Sequence, residues 1–251
     1  MIDFIFPSNI YCLVCGALID SSRPYSLCDD CVQKIHWING VRTCAKCGKA
    51  LPETYLGELC YDCMRSDHYF QKGFSCMTYG LHEREMMMDL KYNGHSYVAG
   101  KMGDVMFDRM MPELEHLGID IVIPVPVGRD RLRKRGYNQA ELMARAFVHD
   151  WRKYCRSHEF PEAPQLGHKV LYRTRDTVML RSLSPEERKL VMDGAFAVKP
   201  SEAAKIQGKN VLLIDDIYTT GATADSCSKE LLQAGAAKVY NLNLASGGNR
   251  K

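Results

Sequence analysis

Eleven cysteines occur in the 251-residue chain, and eight of them form four C-x-x-C pairs. The pairs are Cys12/Cys15, Cys28/Cys31, Cys44/Cys47 and Cys60/Cys63, with twelve residues between each pair and the next. Such a knuckle presents two thiolates to one tetrahedral ion, so two knuckles complete a four-thiolate zinc site. Disulfides are the rival chemistry, and a reducing compartment disfavours them. Gly16 follows the first pair and Gly48 the third, whereas Val32 and Met64 follow the second and fourth. The repeat is therefore 32 residues long. It favours one Zn2+ on Cys12, Cys15, Cys28 and Cys31, and a second on Cys44, Cys47, Cys60 and Cys63. A cross-braced site joining the first and third pairs is the alternative. Four sulfurs leave no open coordination position, so both ions are expected to be structural. Metal binding would supply much of the folding free energy of so small a module, and chelation is expected to unfold it alone. Cys76 continues the period without a partner at Tyr79 and is expected in the core, with Cys155 and Cys227.

A second constellation spans residues 211–223, V-L-L-I-D-D-I-Y-T-T-G-A-T. The apolar run suits a strand buried on both faces of a parallel sheet, and ligands bind beyond the carboxyl ends of such strands. Thr219, Thr220, Gly221, Ala222 and Thr223 offer hydroxyls and backbone N–H groups at a helix N-terminus, where a phosphate is readily held. Asp215 and Asp216 point to opposite faces of a strand. One or both would take sugar hydroxyls or a Mg2+ ion. A P-loop at residues 94–102 is excluded, because it has one residue too many between glycines and Met102 where a hydroxyl is required.

Arginines supply the third constellation. Arg129, Arg131, Arg133, Lys134 and Arg135 fall within seven residues, directly after an apolar run at 119–127. A charge run is often only a solvated face. At the end of a buried strand, guanidinium forks instead suit pyrophosphate or nucleic-acid phosphates. Lys91 is a further candidate phosphate contact, or simply a solvated cation at a helix end.

These groups must be carried by regular elements. Strands are expected over 74–79, 119–127, 195–198, 209–214 and 237–244. Helices are expected over 83–92 with Gly94 as C-cap, over 101–111 with a stop at Pro112, over 137–154 and over 222–234. Residues 156–165 read as a loop. Alternating strands and helices imply an α/β domain with a mostly parallel sheet, so residues 1–70 are expected to be the zinc module and 71–251 the sheet domain.

At 46% hydrophobic and 25% charged, the chain has the composition of a globular protein. Its net charge of +3 does not by itself announce a nucleic-acid binder. Residues 1–63 hold five Lys/Arg against seven Asp/Glu, so the positive excess lies beyond them. No apolar run reaches membrane-spanning length and the first residues lack the features of a leader, so a cytoplasmic location without membrane insertion is expected.

Residues 211–223 resemble the phosphoribosyl-pyrophosphate (PRPP) signature of type I phosphoribosyltransferases. That resemblance implies an acidic pair on the ribose hydroxyls and a T-T-G-A-T loop around the 5′-phosphate. The order of double zinc ribbon, K-Y-x-G, P-V-P, R-G-Y-N-Q and PRPP-type loop is similar to that of the ComF family of competence (ComFC) and GntX-like proteins. Aligned on the family's middle region, Leu180 and Val191 stand where a Gln and an Asn are expected. Two functions follow. One is a binding protein for PRPP or a related phosphorylated ligand and for single-stranded DNA, working beside a helicase in DNA uptake, with a homodimer allowed. The other is an Mg2+-dependent phosphoribosyltransferase acting on a nitrogen nucleophile, by positioning and charge placement.

Overall fold

The computed structural model describes residues 10–20, 22–92, 96–158, 162–176 and 184–248. The sheet is built from β1 (Lys72–Thr78), β2 (Ile121–Pro124), β3 (Gln165–Leu166), β6 (Asn210–Tyr218) and β7 (Lys238–Ser246). All are parallel, in the order β1-β7-β6-β2-β3. A separate two-stranded antiparallel sheet pairs β4 (Leu171–Arg173) with β5 (Phe196–Val198).

Strand β6 shows why the sheet has two cores. Alternate side chains point to opposite faces, so Leu212 and Ile214 join one apolar cluster and Val211 and Leu213 the other. The first cluster is filled by α4 (Ser96–Leu114) and α6 (Gln139–His158). Ala140, Met143, Ala144, Phe147 and Trp151 are buried there, as their spacing requires. The second is covered by α8 (Ala222–Gln233), which contributes Ala224, Cys227 and Leu231. The expected α/β architecture with a parallel sheet and an N-terminal ribbon module is what the chain adopts.

Both ribbon halves use one local design. Gly16 and Gly48 have φ of +70° and +73°, and each N–H bonds the carbonyl of the first cysteine of its knuckle. Cys28 and Cys60 stand at the N-termini of α1 (Asp29–Lys34) and α2 (Tyr61–Arg65). The 32-residue repeat is thus a structural one. Each half lies on a different core: Cys12, Leu13, Leu27 and Cys31 in the α4/α6 cluster, and Cys44, Cys47, Leu51 and Cys60 in the α8 cluster. At the second half two backbones touch. A Cβ on Gly73 would lie 2.7 Å from the Cys47 carbonyl oxygen, and one on Gly48 would run into the Gly73 carbonyl. The ribbon also covers the outer edge of β1, through Ile38 N–H to Cys76 O and Thr78 N–H to His36 O.

Three expectations need correction. Helix α4 begins at Ser96 and runs through Pro112 to Leu114. Burial of Met110, Met111 and Leu114 outweighs the one hydrogen bond that proline removes from the last turn. The strand expected over 119–127 is four residues long, because Pro124 and Pro126 cannot donate to a ladder. Within the loop expected over 156–165, α6 includes residues up to His158 and Gln165 already belongs to β3. Between β4 and β5 lies α7 (Pro185–Met192). Its start is a capping box: Ser184 N–H donates to Glu187 Oε2 at 2.7 Å and Glu187 N–H to Ser184 Oγ at 3.2 Å.

Candidate functional site

The cysteines assemble as two tetrads, Cys12/Cys15/Cys28/Cys31 and Cys44/Cys47/Cys60/Cys63, whose sulfurs all lie within 4.8 Å of one another in each group. Consecutive pairs therefore combine, and the cross-braced alternative is excluded. Backbone N–H groups support the sulfurs, Cys28 to Cys12 Sγ at 3.4 Å and Cys60 to Cys44 Sγ at 3.2 Å. Four convergent thiols with backbone donors behind them fit structural Zn2+, and the chemistry that ion supplies is cross-linking. The second tetrad is the more deeply placed: Cys44, Cys47 and Cys60 are fully buried, whereas Cys15 is exposed. Cys76, Cys155 and Cys227 are buried core residues, as expected. Burial pushes the thiols of Cys76 and Cys227 up.

The acidic stretch is longer in space than in its apolar run, since β6 continues through both acids to Tyr218. Gly221 follows in the left-handed region, φ +87°, and its carbonyl accepts the Asp225 N–H at 2.8 Å to begin α8. Asp215, Thr219, Thr220, Gly221, Ala222 and Thr223 line one depression at the carboxyl end of β6, together with Asn243 of β7 and Arg188 of α7. Asn243 stands in register with Asp215 on β6 and with Ser75 on β1, so a polar row crosses three strands there.

The two acids serve different faces. Asp215 faces the depression, and its Oδ1 accepts the Asp216 N–H at 2.8 Å. Asp216 is 7% exposed and turns to α6, where its Oδ2 accepts from Gln139 Nε2 at 2.9 Å. Gln139 Oε1 in turn accepts from Arg135 Nη1 at 2.9 Å. A hydrogen-bonded chain thus joins the basic segment to the acidic pair.

That basic segment is a helix, α5 (Arg129–Arg135), closed by Gly136 in the left-handed conformation. Its arginines divide by helical spacing. Arg131 and Arg135, four apart, are half-buried, while Arg129, Arg133 and Lys134 are exposed. Arg133 pairs with Asp130 at 2.8 Å. Asn138 anchors the turn into α6: its Nδ2 donates to Val125 O at 3.0 Å and its Oδ1 accepts the Ala140 N–H at 3.2 Å. The R-G-Y-N-Q run is therefore a joint that fixes α5 between β2, α6 and β6.

Sequence reasoning did not single out Arg173 or Arg188 as site residues. Arg173, at the end of β4, lies over the Phe196 ring at 5.1 Å. Burial and the neighbouring Arg131 guanidinium lower its pKa, with Asp176 and Asp215 opposing that shift. Arg188 Nη1 lies 3.4 Å from Thr219 Oγ1. Helix α7 is docked on α8 by Ser226 Oγ to Met192 O at 2.6 Å and Lys229 to Asp193 at 2.9 Å. The signal was present in Arg173, Arg175 and Arg188, but nothing local told which would fold over the loop. Lys91 lies on α3 (Leu81–Tyr92), with its side chain outside the described residues, as are Gly94 and Leu180. Val191 is half-buried on α7, and its carbonyl accepts from Arg175 at 3.4 Å.

Comparison with known proteins finds a family match at the N-terminal part and relatives along more of the chain. Residues 1–64 match the double zinc ribbon domain family. The chain is 28% identical over 174 residues to competence protein ComFC of Bacillus subtilis (strain 168), covering 68% of this chain and 62% of that one. It is 27% identical over 157 residues to DNA utilization protein YhgH of Shigella flexneri, covering 61% and 63%. The expected likeness to ComF proteins is thereby borne out, over less than two thirds of each relative's length. Among solved structures, the allosteric regulatory enzyme of purine biosynthesis is similar with a TM-score of 0.34 and 17% identity, over 62% of this chain and 29% of that one. At that level the likeness carries no weight. Among the described residues no helix is long and apolar enough to cross a membrane.

Proposed function

We propose that the chain binds PRPP, or a closely related phosphorylated ligand, in the depression at the end of β6, and single-stranded DNA along α5, in cytoplasmic DNA uptake beside a helicase. Residues 1–70 act as the ribbon module and 71–251 as the ligand-binding domain. One observation carries the reading: Asp215 and residues 219–223 share a depression, and the Arg135–Gln139–Asp216 chain ties the arginine helix to it. The loop's hydroxyls and N–H groups suit a 5′-phosphate at the start of α8. The half-buried Asp215 carboxylate suits ribose hydroxyls or the Mg2+ that accompanies PRPP, which would screen pyrophosphate charge. The names of the relatives, a competence protein and a DNA utilization protein, support the DNA role. Calorimetric titration with PRPP, with and without Mg2+, tests it. Wild type is expected to bind only with Mg2+, and Asp215→Asn to bind more weakly. No heat with wild type would end the PRPP reading.

A second reading is an active Mg2+-dependent phosphoribosyltransferase. Arg188 beside Thr219 favours it, because a guanidinium over the loop suits a departing pyrophosphate. Pyrophosphate release from PRPP with candidate amines or bases would establish turnover.

A further inference from the structure

The loop's conformation is not set by the sheet alone. A Cβ on Gly221 would lie 2.5 Å from Tyr218 Oη and 2.9 Å from His68 Cε1, so two side chains already fill that space. Tyr218 is the last residue of β6, but His68 belongs to the linker that leaves the second ribbon after α2. Its side chain is 1% exposed. His68 Nδ1 lies 2.7 Å from Asp225 Oδ2, and Tyr69 N–H donates to Asp225 Oδ1 at 3.0 Å. A carboxylate only accepts, so Nδ1 carries the hydrogen. Asp225 occupies the first turn of α8, where a negative charge is favoured and where its own N–H already bonds Gly221.

Behind His68 the contacts lead to the second zinc tetrad. His68 stacks on Phe70 at 4.8 Å between centroids, and Phe70 meets Tyr218 edge-on at 6.1 Å. Lys46 and Lys49, flanking Cys47, each place Nζ 5.5 Å from the centres of the Phe70 and Tyr218 rings respectively. Lys49 is 3% exposed and pairs with Asp62 at 2.5 Å. Three buried polar atoms close to Gly221, namely His68 Nε2, Tyr218 Oη and Thr220 Oγ1, find no partner among the described residues. Unsatisfied polar groups of this kind are uncommon in a folded interior and mark strain or function.

We infer that His68 is a positioning residue for the phosphate-type loop: clamped by Asp225 and backed by the second ribbon, it holds Gly221 and the first turn of α8 in the ligand-binding conformation. The inference rests on the reading of residues 219–223 as the ligand loop. It makes the ribbon a working part of that site, with affinity for a phosphorylated ligand depending on a residue outside the sheet domain.

The test compares full-length, zinc-loaded wild type with His68→Ala and His68→Asn, whose Nδ2 can replace the Nδ1 donor. Amide exchange at residues 221–225, bound zinc and PRPP–Mg2+ affinity are measured on each. His68→Ala is expected to retain two zinc ions, to exchange faster at 221–225, and to lose affinity on the order of tenfold. His68→Asn should restore most of both. Wild-type exchange in His68→Ala would overturn the clamp, whether or not PRPP binds. Faster exchange in a protein whose wild type binds no PRPP would keep the clamp and remove only the ligand reading. If His68→Ala loses zinc, Asp225→Asn decides, because it removes one acceptor while leaving the His68–Phe70 stack. Unaltered exchange in that variant would equally overturn the proposal.

Discussion

Asp216 accepts a 2.9 Å hydrogen bond from Gln139, the residue that closes the R-G-Y-N-Q segment, although 77 positions separate the two. Because Arg135 donates to the same glutamine, the acidic pair and the arginine helix form one unit. Replacing Gln139 by Leu keeps most of the volume and removes a donor to a buried carboxylate. The expected loss is about 1–3 kcal/mol of stability, read from urea unfolding. An unchanged midpoint would show that Asp216 does not rely on Gln139.

Surface and joint arginines should separate in DNA binding. Arg129→Glu and Arg133→Glu alter the exposed side of α5. They are expected to weaken single-stranded DNA binding and to flatten the plot of log affinity against log salt by about 0.7 for each phosphate no longer neutralised. Arg135→Glu should also lower stability, because it breaks the bond to Gln139. Fluorescence anisotropy across a salt series checks this; equal slopes for wild type and Arg129→Glu would remove Arg129 from the DNA path.

Metal analysis should find two zinc ions per chain. From the sequence, chelation is expected to unfold the ribbon alone. Packing changes that expectation, because Cys12 and Cys31 sit in one core of the sheet domain and Cys44, Cys47 and Cys60 in the other. Calorimetry after chelation should therefore show the sheet domain melting lower as well. A sheet transition at its original temperature would restore the simpler expectation.

Helix α7 should loosen in acid. The hydrogen bond and charge of Lys229 hold the Asp193 carboxyl below its usual 3.8. A carboxylate whose folded pKa is depressed contributes above its unfolded value and loses that contribution as pH falls through the folded one. The docking of α7 on α8 is therefore intact at neutral pH and weakens below about pH 4. Carbon-detected titration of Asp193 should give a midpoint under 3.8, rising toward it in Lys229→Ala. Because the pair is exposed, the effect is local and sensitive to salt.

Buried anchoring by Glu83 went unseen in the sequence. Its carboxylate, wholly buried, accepts the N–H groups of His36 and Gly80 at 2.8 and 2.9 Å, fastening the ribbon to the start of α3. Glu83→Ala should cost about 1.5–3 kcal/mol in thermal or urea unfolding. An effect confined to a few tenths would mean that water satisfies the two donors.

Some of this protein was legible from its residues alone. The cysteine knuckles, with Gly16 and Gly48 marking a 32-residue repeat, pointed to the pairing of the tetrads, because a C-x-x-C turn is local chemistry. The apolar run of β6 and the T-T-G-A-T loop marked the central strand and the start of α8 for the same reason. Tertiary structure decided what spacing cannot encode: that Gln139 reaches Asp216, and that Arg188 lies beside Thr219. It also decided that His68, in the linker after α2, packs beneath Gly221. Each of these is a meeting of side chains far apart along the chain, and their distance is fixed only when the sheet, its helices and both ribbon halves close on common cores.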